Sequence, residues 1–197
     1  YNTLSTVIWL IEANQPQSAI KVTSALAKMF RISISQGSNI IPVEKEIEHV
    51  ASYLDIQKVR YEDEFTCEFD VDENILSFYT VKMVLQPLVE NAIYHSMRNI
   101  QGGSIIISCM QAGNSVIMQV RDNGGFMSEE QCGLINEKLE NKPIGNVKMG
   151  VGIKNVHDRL RYTYGMQGGL RYRTQTGWTI AEITIPIQRS EDECQTY

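Results

Sequence analysis

"LQPLVENAIYHS", residues 85–96, sets apolar positions at helical spacing around one short polar island, Glu90-Asn91. By itself the island reads as the solvated face of an ordinary helix. Two more islands of the same kind lie at element ends: "DNGG" (122–125), closing the strand-like run "NSVIMQVRD", and "GVGIKNVHDRL" (150–160), where glycines open a helix. They too have local explanations. Asp-Asn-Gly-Gly supplies turn hydrogen bonds and conformational freedom to any loop leaving a strand, and Gly150 and Gly152 suit any loop that runs into a helix.

Taken together, the three islands make a coherent nucleotide site. A Gly-rich turn opening the helix at Val151 presents unpaired N–H groups and the positive end of a helix dipole, which suits polyphosphate. Asn91 has no positive charge beside it and is a reasonable oxygen ligand for the Mg2+ that accompanies ATP. Asp122 can accept from an exocyclic amine, and the glycines after it leave room for a planar base. Between these islands, "ENKPIGNVKMG" (140–150) is polar, aperiodic and long enough for a lid.

Outward from the islands, the chain reads as one main core with a helical extension. Its 197 residues, 43% of them hydrophobic, allow one substantial domain plus a smaller appendage. A net charge of −5 without clustered Lys or Arg argues against a nucleic-acid partner. Cys67, Cys109, Cys132 and Cys194 are widely spaced, with no C-x-x-C pair or histidine cluster for zinc, and read as reduced, buried or incidental thiols of an intracellular domain. No run is long and apolar enough to cross a bilayer.

The periodic runs Leu4, Val7, Ile8, Ile11 and Ile20, Ala27, Phe30, Ile34, split at Asn14-Gln15-Pro16, predict two antiparallel helices. They would bury those stripes on each other or on a partner. "SQGSNIIP" (35–42) ends the second helix. A third, Val43 to Tyr61, puts Ile47, Val50, Leu54 and Val59 on one side and Glu44 and Glu46 at its start, where its dipole favours them. From Phe65 the pattern predicts a strand "FTCEFDV", a helix through "FYTVKMVLQPLVENAIYHSM", and the strands "GSIIISCM" and "NSVIMQVRD". A helix begun at about Ser128, a helix Val151–Tyr164, the strands "GLRYRTQ" and "TIAEITIPI" and a frayed acidic tail complete it. This order predicts an α+β layer structure and not a doubly wound one.

With its islands in this order the chain resembles the GHKL (Bergerat-fold) ATP-binding superfamily, the three islands matching its N, G1 and G2 boxes. "LQPLVENAIYH" and "GIKNVHDRLRYTYG" resemble in particular the LytS/YesM-like sensor histidine kinases. "VEKEIEHVASYLDIQKVRYEDEF" resembles the linker helix that precedes their ATP-binding domain. The resemblance implies a two-layer sandwich, a mixed and mainly antiparallel sheet covered by helices, preceded by a helical hairpin. It divides the chain into a partial dimerisation hairpin (1–41), a linker helix (42–64), an ATP-binding catalytic domain (65–189) and an acidic tail (190–197).

The resemblance also implies roles. Asn91 would coordinate Mg2+, with Glu90 and His95 of the same helix close to the phosphates or metal and Glu90 a base for the acceptor histidine. Asp122 would take the adenine amino group, and Gly124, helped by Gly125, would let the base lie flat. Gly150 and Gly152 would cradle phosphate, with Asn155 and Arg159 behind them. The chaperone and gyrase branches carry a Glu one turn before the metal-binding Asn; here that place holds Pro87, which favours a kinase over a hydrolysing machine. The implied partners are ATP, a response regulator and, through a four-helix bundle, a second copy. Membrane attachment is implied only through upstream segments of a bacterial sensor whose cytoplasmic part this would be.

Two features depart from the family pattern. G1 boxes read D-x-G-x-G, and the second glycine is replaced by Phe126, which could narrow the base pocket. "YNTLSTVIWLI" resembles the continuation of the phosphoacceptor motif "NPHFLYNTL", so the acceptor histidine is expected just before Tyr1; His49, His95 and His157 lack that context. The alternative reading is a non-catalytic dimerisation module that has lost its nucleotide. A serine kinase of the anti-sigma-factor type leaves the hairpin start unexplained.

Overall fold

The computed structural model describes residues 1–34, 39–61, 64–99, 102–125, 127–140 and 151–195. Helices α1 (Asn2–Glu12) and α2 (Pro16–Ile34) form the expected hairpin, turned where Asn14 takes a φ of 57°. Strand β1 (Ile40–Pro42), helix α3 (Val43–Tyr61), strands β2 (Phe65–Val71) and β3 (Tyr79–Val81) and helix α4 (Gln86–Asn99) follow. Then come β4 (Gly103–Ala112), β5 (Ser115–Asp122), α5 (Glu129–Leu139), α6 (Val151–Tyr164), β6 (Gly169–Gln175) and β7 (Trp178–Pro186).

Five strands form one sheet in the order β2-β4-β5-β7-β6, parallel between β2 and β4 and antiparallel elsewhere. This is the mixed, mainly antiparallel sheet read from the sequence. Alternation along the pleat turns Ile105, Ile107, Val116, Met118 and Val120 to one side. There they pack with Leu88, Ala92, Val156 and Leu160 of α4 and α6, in a core to which α5 adds Cys132 and Leu139. The other side carries polar ties: Gln119 donates to Glu182 at 2.7 Å, and Arg173 pairs with the same carboxylate at 3.2 Å. Helix α5 starts on a capping box, Ser128 and Gln131 each satisfying the other's backbone N–H. Beyond α6, a Cβ on Gly168 would stand 2.6 Å from the Tyr164 Cβ, so glycine alone lets the chain pass into β6.

Several elements differ from the sequence reading, each for a physical reason. The expected helix through residues 78–97 starts only at Gln86, because Thr80 and Val81 pair with Ile41 and Ile40, and Met83 takes a φ of 58° that no α-helix admits. The hairpin buries Leu10, Ala19, Val22 and Ala25 against Ile56 of α3. Of the expected contact stripes, Val7 packs on this small core, whereas Leu4, Ile8, Ile11, Ile20, Phe30 and Ile34 each remain more than half exposed. Glu46 keeps its expected place in the first turn of α3, but its carboxylate is fully buried against the backbone that precedes α4. In place of a frayed tail, Asp192–Gln195 forms a 3-10 turn whose Cys194 is buried 4.0 Å from the Tyr164 hydroxyl. All four cysteines are free, as expected of reduced thiols. Among the described residues no helix is long and apolar enough to cross a membrane.

Ile107→Ala, in the middle of β4, is expected to cost about 2–5 kcal/mol in urea unfolding. Tyr162→Ala, on the 82% exposed outer face of α6, should stay within about 0.5 kcal/mol.

Candidate nucleotide site

Asp122 closes β5 with only 5% of its surface exposed, and its Oδ1 has no hydrogen-bond partner. Burial raises its pKa to about 7, against the backbone amides of Gly125 and Gly124, which favour the charged form. A buried acceptor left unpaired costs about 1–3 kcal/mol, and an amine donated by a ligand would remove that penalty. The turn around it is held from both sides. The Asn123 side chain accepts the Ser104 N–H at 2.7 Å. Thr179, directly opposite Asp122 on β7, donates its hydroxyl to the Gly125 carbonyl at 3.0 Å and accepts the Met127 N–H at 3.1 Å. "DNGG" is thus a clamped turn with one carboxylate oxygen left over.

The starts of α4 and α6 meet each other. A Cβ on Gly152, in the first turn of α6, would lie 3.6 Å from the Pro87 Cβ in the first turn of α4. The first N–H groups of α6 have no acceptor within the helix. Asn91 follows Pro87 by one helical turn, on the same side of α4. Tyr172 of β6 links this side to the turn: burial and the Asp122 carboxylate push its phenol up, and the Asn91 carboxamide opposes them. Its hydroxyl, like Asp122 Oδ1, is buried without a hydrogen bond.

Tyr172 thus stands between Asn91 and the Asp122-Asn123-Gly124-Gly125 turn, and Gly152 stands against Pro87, one helical turn before Asn91. Asn155 is exposed one turn further along α6. Arg159 is turned away: its Nη2 donates to the Lys82 carbonyl at 2.6 Å, and its charge faces Glu46. Glu90 is exposed, accepts from Gln86 Nε2 at 2.7 Å, and lines a separate cavity of about 530 Å³ with Asn2, Tyr53, Arg60 and Tyr61. The His95 side chain, Phe126 and Gly150 lie outside the described residues. Among the described residues no cluster of three His, Cys, Asp or Glu could hold a metal ion. A cation here would take Asn91 as a protein ligand and complete its shell with phosphate and water oxygens.

Residues 79–189 match the family of histidine kinase-, DNA gyrase B-, and HSP90-like ATPases. The chain belongs to this family. Residues 1–65 match the histidine kinase family. The sensor histidine kinase YesM of Bacillus subtilis is 31% identical over 95% of this chain and 31% of its own length. The sensor protein LytS of Staphylococcus saprophyticus is 29% identical over 98% of this chain and 32% of its own. The chain thus spans about a third of these curated relatives. Among solved structures, the catalytic domain of the histidine kinase ThkA superposes with a TM-score of 0.58 at 20% identity, covering 77% of this chain and 97% of that one. ThkA in complex with the response regulator protein TrrA gives a TM-score of 0.53 at 18% identity, covering 87% of this chain and 50% of that one. These structures share the α+β sandwich with this member of the family.

Two residues of the region gave no signal in the sequence: Thr179 and Tyr172 read as ordinary strand formers, and only strand register brings them here.

Asp122 carries a pH signature. Its folded value of about 7 lies above the ordinary 3.8, so the folded state holds the proton more tightly. Stability from this group is full below about pH 4 and is lost as pH rises to about 7. The midpoint of Asp122→Asn should therefore gain on that of the parent across this window in thermal melts. Thr179→Val, which removes the clamp on Gly125 and Met127 without changing shape, is expected to cost about 1–3 kcal/mol in urea unfolding.

Proposed function

We propose that this chain is the ATP-binding catalytic region of a two-component sensor histidine kinase, with a hairpin (1–41) and linker helix (42–64) ahead of the domain formed by residues 65–189. The observation that carries the reading is the buried, unpartnered Oδ1 of Asp122 beside Gly124, linked through Tyr172 to Asn91. Asp122 accepts the adenine amine, Gly124 gives the base room, the first turn of α6 at Gly152 meets the phosphates, and Asn91 holds Mg2+. Bound Mg2+ neutralises phosphate charge; the residues supply position.

The γ-phosphoryl goes to a histidine of the helical hairpin motif and then to a response regulator, as the family relationship and the complex of ThkA with TrrA suggest. His49 and His157 are 0% and 3% exposed and held in hydrogen bonds with Ser33 and the Leu170 backbone, so neither suits the acceptor. Glu90 fits a base rather than a metal ligand, because its cavity joins α4 to the start of α1 at Asn2 and Thr3. Pro87, and not a carboxylate, stands one turn before Asn91, which supports phosphoryl transfer over hydrolysis. The outward apolar stripe of Leu4, Ile8, Ile20 and Phe30 supports a homodimer through a four-helix bundle. YesM and LytS are a sensor histidine kinase and a sensor protein by description, and a cytoplasmic place in a membrane sensor follows by analogy.

Calorimetric titration with ATP tests the reading. The parent should bind more tightly with Mg2+ than without; Asp122→Asn should lose binding in both conditions, and Asn91→Ala should lose only the magnesium-dependent gain. A parent silent at millimolar ATP would overturn it and favour a non-catalytic dimerisation module.

A further inference from the structure

The turn before α4 is gripped by a residue that the nucleotide site does not itself use. Glu46 of α3 is 0% exposed, and its two carboxylate oxygens accept three consecutive backbone N–H groups, from Met83 at 2.6 Å, Val84 at 2.7 Å and Leu85 at 2.8 Å. Successive amides converging on one anion make a nest. Met83 holds the nest open in the left-handed region, at a φ of 58°, which a residue with a side chain adopts only where its surroundings require it. Arg159 of α6 grips the same turn from the other side by donating to the Lys82 carbonyl at 2.6 Å, and its charge faces Glu46. Burial pushes the Glu46 carboxyl up, and the three amides and Arg159 oppose that.

We infer that Glu46 is a positioning residue for the phosphoryl-transfer site: it ties the turn that leads into α4 to α3 and thereby sets where Asn91 stands. The next residue after Leu85 begins α4, and Asn91 lies in its second turn. A helix that short moves as one piece, so a shift at the nest is carried to the carboxamide. The tie also runs directly from the helix that packs on the α1–α2 hairpin, through Ile56, to the helix that carries the metal ligand. The inference rests on the assignment of Asn91 to Mg2+ above.

The test compares Glu46→Gln with Val50→Ala, which opens a cavity on the same helix at a fully buried apolar position. Glu46→Gln keeps the size of the side chain but sets an amide N–H2 against the converging donors. Both variants should melt earlier than the parent. In Glu46→Gln the ratio of ATP dissociation constants without and with Mg2+ should fall at least about fivefold, while Mg2+-free binding through Asp122 changes little. In Val50→Ala the ratio should match the parent.

A retained ratio in folded Glu46→Gln, or an equal loss in Val50→Ala, would overturn the inference. The nucleotide-free NMR signal of the Asn91 side-chain amide gives a second, independent readout. If the parent itself shows no magnesium gain, the Asn91 assignment fails, and this signal decides alone. Displacement or broadening in Glu46→Gln but not in Val50→Ala upholds the positioning role, and an unmoved signal refutes it.

Discussion

The antiparallel register of β5 on β7 is the constraint from which the rest of the nucleotide side follows. It sets Asp122 against Thr179 and stacks Val120, Met118 and Val116 beside Ala181, Ile183 and Ile185. A slip of one residue would send every side chain of one strand to the opposite face. The apolar core and the unpartnered Oδ1 of Asp122 are therefore specified by the same pairing. A stable sheet cannot form in this order without also burying Asp122 and placing the Thr179 hydroxyl under the Gly125–Met127 backbone.

Much of this was legible in the chain because it is local. The capping box at Ser128 and the apolar period of α6 each follow from neighbouring residues, and the structure places them where the pattern does. The polar islands were legible for another reason: an acid, an amide and glycines at element ends fit poorly with ordinary packing when they recur in a fixed order. What escaped was non-local. Thr80 and Val81 look helical beside "MVLQPLVENA", and they become a strand only because Ile40 and Ile41 arrive to pair with them.

Helix α3 shows the same limit in another form. Its periodicity marks one apolar side, yet Glu46, His49, Ser52 and Gln57 are buried along with Val50, Leu54 and Ile56. A helix packed on two sides has no single wet face, so polar residues on it need partners inside the protein. Ser33 meets His49 at 3.2 Å, and the turn before α4 meets Glu46. Sequence periodicity records the first contact surface of such a helix and is nearly blind to the second.

The hairpin keeps its own small core, separate from the large one under the sheet. Leu10, Ala19, Val22 and Ala25 share it with Ile56, whereas Val50 and Leu54 of the same helix α3 belong to the other core. Cooperative units in a protein follow such divisions of apolar contact. With α3 threaded through both, twisting the hairpin against the sandwich strains the Lys21–Asp55 and Lys28–Glu48 ion pairs and the Ser33–His49 hydrogen bond together with the aliphatic contacts at Ile56. Helix α3 is therefore built as a drive shaft keyed on both sides: by ion pairs and a hydrogen bond to the hairpin, and by the Glu46 carboxylate to the turn that leads into α4.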